Sequence, residues 1–168
     1  MQNYHILENF HFDKNQLLEL LKDSSFDNYD YYFLNPTETK NISNILNIKN
    51  VAHILFFTLF YEIGIVHFDN PNPITGKHQW ALNLPLTDLS SVNMNWFAPT
   101  DELDLTSNKN KYPKRFFTQI DSVNCNQPAI VSIDKWHNGE NPNLVKALIL
   151  SIRFTNDTSI DAVLDNLK

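Results

Sequence analysis

The sequence predicts a mainly β protein of α+β character: a sandwich or jelly roll with an N-terminal helix and a short C-terminal helix. Three observations predict it. Apolar and aromatic runs of strand length recur between Val51 and Phe154. Turn clusters rich in Pro and Asn separate them, the clearest being Asn70-Pro71-Asn72-Pro73-Ile74-Thr75-Gly76. The helical signals lie outside that stretch. The chain is therefore read as one domain over residues 1–168, with 1–50 as helical support, 51–154 as the β core and 155–168 as a tail.

The elements follow in order. Tyr4 to Leu7 reads as a short strand. Phe12 to Lys22 reads as a helix, because Leu17, Leu18, Leu20 and Leu21 form an apolar stripe and Asp13 with Gln16 has capping-box spacing. Tyr29 to Leu34 is a strand or an irregular cover, and Ile42 to Ile48 a helix or turn. Val51 to Phe60 has the length of a buried helix, but its aromatic content favours a buried strand. Further strands are expected at Ile63–Phe68, Gln79–Leu86, Asn93–Phe97, Arg115–Ile120, Ala129–Asp134 and Val145–Phe154, with a short helix in Thr158–Leu167. Glycine is scarce (3 residues), so asparagine is expected to take over some left-handed turn positions.

Composition narrows the function. A hydrophobic content of 42% with 19% charged residues fits a globular chain with its own core. The net charge of −6 argues against a protein that binds by neutralising phosphates, so nucleic acid is not an expected partner. Lys109, Lys111, Lys114 and Arg115 form the only basic cluster, read as a solvated loop. A lone cysteine, Cys125, excludes an internal disulfide framework and fits a reducing compartment. The N-terminus lacks signal-peptide character, and the longest apolar run is short of the ~20 residues a membrane span needs, so a cytoplasmic location is expected.

His67 and Asp69 end the apolar run Ile63-Gly64-Ile65-Val66-His67-Phe68-Asp69. Residues i and i+2 of a strand share a face, so the pair can present an imidazole and a carboxylate to one point. His137 follows another apolar run, Ala129 to Asp134. Brought in from a distant strand, it would complete two histidines and a carboxylate, the set that leaves open positions on a non-heme Fe(II). A His-x-Asp beside a turn is by itself a weak signal, since such histidines are more often surface or hydrogen-bonded residues.

The wider context strengthens it. After the His-x-Asp strand come a turn and Ala81-Leu82-Asn83-Leu84-Pro85-Leu86, and after His137 a strand ending Ser151-Ile152-Arg153-Phe154. From Val51 to Phe154 this order resembles the 2-oxoglutarate/Fe(II)-dependent oxygenase superfamily, particularly its small phage and marine-bacterial members. The resemblance implies a double-stranded β-helix, an iron held by His67, Asp69 and His137, and 2-oxoglutarate as co-substrate. It also implies hydroxylation of a substrate C–H bond, and a basic side chain gripping the distal carboxylate of 2-oxoglutarate. At the usual place for that base the chain departs from the pattern: Lys146 is near it and Ala147 beside it. Strand parity puts Ala147, Ile149, Ser151 and Arg153 on one face, and Lys146 with Leu148, Leu150 and Ile152 on the other. Arg153, whose fork matches a carboxylate, is the preferred anchor, with Ser151 adding a hydroxyl and Asn83 a polar group; Lys146 is second. The plainer account makes both cations rim charges.

Other polar and aromatic residues fit bland roles. Trp80 and Trp96 are read as core more readily than as pocket lining, and His53 as a satisfied core histidine. Two rival functions stand beside the oxygenase, whose substrate would be a protein side chain or small metabolite. One is a non-catalytic jelly-roll binding or structural protein, phage-derived, with a degenerate metal site. The other is a cupin-type metalloenzyme independent of 2-oxoglutarate, disfavoured because its His-x-His pattern is missing.

Overall fold

The computed structural model describes residues 3–20, 31–59, 65–67, 69, 79–103, 111–155 and 158–167. Among the described residues, eleven strands lie in two antiparallel sheets. The larger contains β1 (Tyr4–Ile6), β2 (Tyr31–Phe33), β3 (Val51–Leu59), β5 (Trp80–Pro85), β9 (Ala129–Ser132) and β11 (Ala147–Phe154), in the order β1-β9-β5-β11-β3-β2. The smaller contains β4 (Ile65–His67), β6 (Asn93–Pro99), β7 (Lys111–Pro113), β8 (Phe117–Asn124) and β10 (His137–Glu140), in the order β7-β4-β10-β6-β8.

The connectivity is that of a jelly roll. From β3 to β6 the chain alternates between the larger and smaller sheets, and from β8 to β11 it alternates back. The inner order β9-β5-β11-β3 therefore faces β4-β10-β6-β8, and β1, β2 and β7 extend the edges. This winding places strands far apart in sequence side by side.

The two faces of the larger sheet differ. Its outer face carries Ile54, Phe56, Leu82, Leu84, Ile130, Leu148, Leu150 and Ile152, all buried in one cluster with Leu17, Ile42 and Val163. Those last three come from the helices α1 (Lys14–Glu19), α2 (Pro36–Ile45) and α3 (Ile160–Asp165). Its inner face contributes the small residues Ala81, Ala129 and Val131, which pack against Met94, Trp96 and Val123 of the smaller sheet.

Helix ends follow the capping rules. Asp13 accepts hydrogen bonds from the Asn15 and Gln16 amides, and Ser159 from the Ala162 amide. α2 starts earlier than expected because Asn35 and Glu38 form a full capping box around Pro36 at the first turn. The asparagine expectation is met at Asn47 (φ 53°) and Asn50 (φ 57°). The basic stretch departs from a solvated loop: Lys111–Pro113 pairs with β4, and a 3-10 turn, Lys114–Phe116, follows. Lys114 pairs with Glu140 and lies over the Phe97 ring, while Arg115 lies over Phe116. Lys109 and the turn at 70–76 lie outside the described residues.

Candidate metal centre

β4 and β10 are hydrogen-bonded neighbours, and His67 stands directly opposite His137 in their register. Opposed residues of an antiparallel pair share a face and have Cβ atoms only about 5 Å apart. The imidazoles accordingly lie 4.6 Å apart between ring centroids, tilted by 56°. Trp96 opposes His137 on β6 and Lys111 opposes His67 on β7, so the two histidines sit mid-row in the sheet. Trp96 is fully buried and donates its indole N–H to the Ser132 carbonyl at 2.8 Å, which makes it a fixed wall of this row.

Asp69 lies beyond the end of β4. Its backbone N–H donates to the Ile133 carbonyl at 3.2 Å, tying it to the stretch between β9 and β10. Asp69 Oδ1 stands 3.8 Å from His67 Nε2 and 3.7 Å from His137 Nε2. One ligand atom from each of the three residues can be chosen so that all lie within 4.8 Å of one another. Bonds of ~2.0–2.2 Å from one first-row ion reach donors up to about 4.2 Å apart, so the carboxylate oxygen can share an ion with either imidazole.

The protonation state suits such a role. His137 Nδ1 lies 2.7 Å from the Lys135 carbonyl, so Nδ1 carries the hydrogen and Nε2 presents its lone pair toward Asp69. Burial, and secondly the neighbouring His67, push the His137 pKa down to about 4, leaving it neutral at pH 7.

Arg153 enters from the facing sheet. Its Nη2 lies 2.9 Å from Asp69 Oδ2, with only 12% of its side chain exposed. Ser151 and Asn83 oppose each other in the β11–β5 register, and the fully buried Ser151 hydroxyl donates to Asn83 Oδ1 at 2.6 Å. Arg153, Ser151 and Asn83 thus occupy the inner face, as strand parity predicts for the first two. Lys146 does not join them. It is exposed, precedes β11, and belongs by parity with outward-facing Leu148.

His53, read from the sequence as a satisfied core histidine, is a neighbour of Arg153. It opposes Arg153 in the β3–β11 register, so it shares the inner face instead of sitting in the apolar core. The alternation across Val51–Leu59 was its available signal: Ile54 and Phe56 face out, which turns His53 in. Cys125 is half-buried, and burial pushes its thiol up to about 12, which keeps it protonated at neutral pH.

No protein-family model matches the chain, and no curated protein matches it. Among solved structures, the iron-bound HygX from Streptomyces hygroscopicus is similar at TM-score 0.49 and 6% identity, over 95% of this chain and 89% of that one. A prolyl-4-hydroxylase from Pseudomonas putida is similar at TM-score 0.48 and 10% identity, over 92% of each chain. Similarity of this degree assigns neither family nor activity. No helix among the described residues is long and apolar enough to cross a membrane.

Proposed function

We propose that this protein is an Fe(II)- and 2-oxoglutarate-dependent oxygenase, with His67, Asp69 and His137 as the metal ligands. The observation that carries the reading is the donor set itself: Asp69 Oδ1 lies within 3.8 Å of both Nε2 atoms. Two imidazoles and one carboxylate suit a divalent first-row metal and leave coordination positions open. When bound, that metal with 2-oxoglutarate and oxygen supplies the oxidising power to hydroxylate a C–H bond.

The chain's own residues do the rest. The Lys135 carbonyl holds His137 in the tautomer that can ligate. Trp96 and the tight packing around Met94 keep solvent from the back of the site. Arg153, a guanidinium with five N–H donors, supplies the charge that a co-substrate carboxylate needs, with the Ser151–Asn83 pair beside it on the same face. A small metabolite or a protein side chain suits an acidic protein better than nucleic acid does. A cytoplasmic location and use of the whole chain as one domain complete the reading.

Anaerobic titration with Fe(II) and 2-oxoglutarate tests it. The expected result is a weak visible charge-transfer band that a His67→Ala variant lacks. Metal uptake with indifference to 2-oxoglutarate indicates a metalloprotein of another chemistry, and no uptake at all leaves a jelly-roll binding protein.

A further inference from the structure

Resting on that metal reading, we propose that Arg153 is a positioning residue for Asp69: it holds Oδ2 so that Oδ1 alone turns to the point between the two imidazoles. Asp69 has left its strand, so the sheet no longer fixes its orientation. Its backbone N–H donates to the Ile133 carbonyl, a bond that places the main chain but does not itself set the rotation of the carboxylate. The Arg153 contact at 2.9 Å engages Oδ2, and Oδ1 is the oxygen that stands 3.7 and 3.8 Å from the imidazole nitrogens. The two oxygens of one carboxylate are thus divided between a guanidinium and the candidate metal position.

This division bears on coordination. A carboxylate can ligate through one oxygen or both. Holding Oδ2 away keeps the protein at three donor atoms and keeps the remaining positions for co-substrate and oxygen. Arg153 belongs to the larger sheet and Asp69 follows a strand of the smaller one, so the contact also ties the two sheets together across the site. A guanidinium suits this better than an ammonium, because its planar fork defines direction as well as distance.

Two effects of Arg153 on a metal ion have opposite sign, which makes the inference testable. Its positive charge repels a dication, so charge alone predicts that removing it tightens metal binding. Orientation of a ligand by an outer partner predicts the reverse, typically a 10–100-fold loss of metal affinity when the partner is removed.

The experiment is Co(II) titration without 2-oxoglutarate, followed by visible absorption, for the unaltered protein, Arg153→Gln, Arg153→Lys and His67→Ala. Leaving out the co-substrate means that any anchoring of its carboxylate cannot move the result. Positioning predicts 10–100-fold weaker Co(II) binding in both Arg153 variants, with an altered spectrum as Asp69 takes up a second bond. In an Asp69→Ala background, Arg153→Gln should cause no further loss, because Arg153 acts through Asp69. Far-UV circular dichroism and thermal midpoint of the metal-free variants establish that they fold. Affinity equal to or tighter than that of the unaltered protein, with the same spectrum, overturns the inference and leaves the metal reading standing. An equal loss in the Asp69→Ala background overturns it too. An unaltered protein that binds Co(II) no better than His67→Ala overturns both.

Discussion

The two faces of β11 belong to one strand and do opposite work. Leu148, Leu150 and Ile152 point outward into a helix-covered apolar cluster, while Ser151 and Arg153 point inward to a hydroxyl–amide pair and a carboxylate. Leu150 and Ser151 are adjacent in sequence and both fully buried, so burial alone does not separate stability from chemistry. Partners do. The outward side chains gain from removing apolar surface from water, roughly 25 cal/mol per Å². The inward ones are tolerated only because each polar group meets another, since an unmatched buried polar group costs about 1–3 kcal/mol. The lesson is that a helix-covered apolar cluster backs the larger sheet, while on its inner face polar groups share space with the apolar packing of Ala81, Met94 and Trp96.

The most severe way to break this division is to exchange the faces. A one-residue insertion between Leu150 and Ser151 would turn Ser151 and Arg153 outward and Ile152 and Phe154 the wrong way along a central strand. We expect loss of the cooperative thermal transition, read by near-UV circular dichroism.

Phe56→Ala attacks the outer face alone. Phe56 is fully buried in the helix-covered cluster, so the change should cost about 3–5 kcal/mol in denaturant unfolding. Co(II) affinity of the folded fraction should stay unchanged, because the residue has no side chain on the inner face.

A gentler test concerns His137. Its folded pKa of about 4 lies below the unfolded value near 6.5. Between these values the unfolded chain binds more protons, so stability rises with pH across the window. The contribution is present above about pH 6.5 and is lost as pH falls through about 4, on the order of 3 kcal/mol at full extent. Melting of the metal-free protein across pH 4–7 should show this slope, and His137→Gln should flatten it.

The features legible in the sequence were those governed by local periodicity. The inward parity of Ser151 and Arg153 and the strand character of Val51–Leu59 depend on a period of two; the nearness of Asp69 to His67 does not, because Asp69 lies beyond the end of β4. The strand β10 was missed because His137-Asn138-Gly139-Glu140 has little strand propensity; it is a strand because β6 and β4 flank it on both sides. The start of α2 is encoded in the capping box of Asn35-Pro36-Thr37-Glu38, which lies ahead of the apolar spacing from Ile42 to Ile48. Lys146 lies outside β11, which begins at Ala147, a boundary that strand parity alone does not mark. The approach of Arg153 to Asp69 crosses between sheets, and no local pattern encodes it. Buried Asn138 was likewise invisible: it accepts from Asn95 Nδ2 at 3.1 Å on the face turned away from the histidines.

Placing the main apolar cluster behind the larger sheet has an evolutionary consequence. Inner-face residues such as Ala81, Asn83 and Val131 can be exchanged while the buttressing helices and outward leucines stay the same. A lineage built on this plan could explore new ligands by altering its lining, with the helix-covered cluster left intact on the far side of the wall.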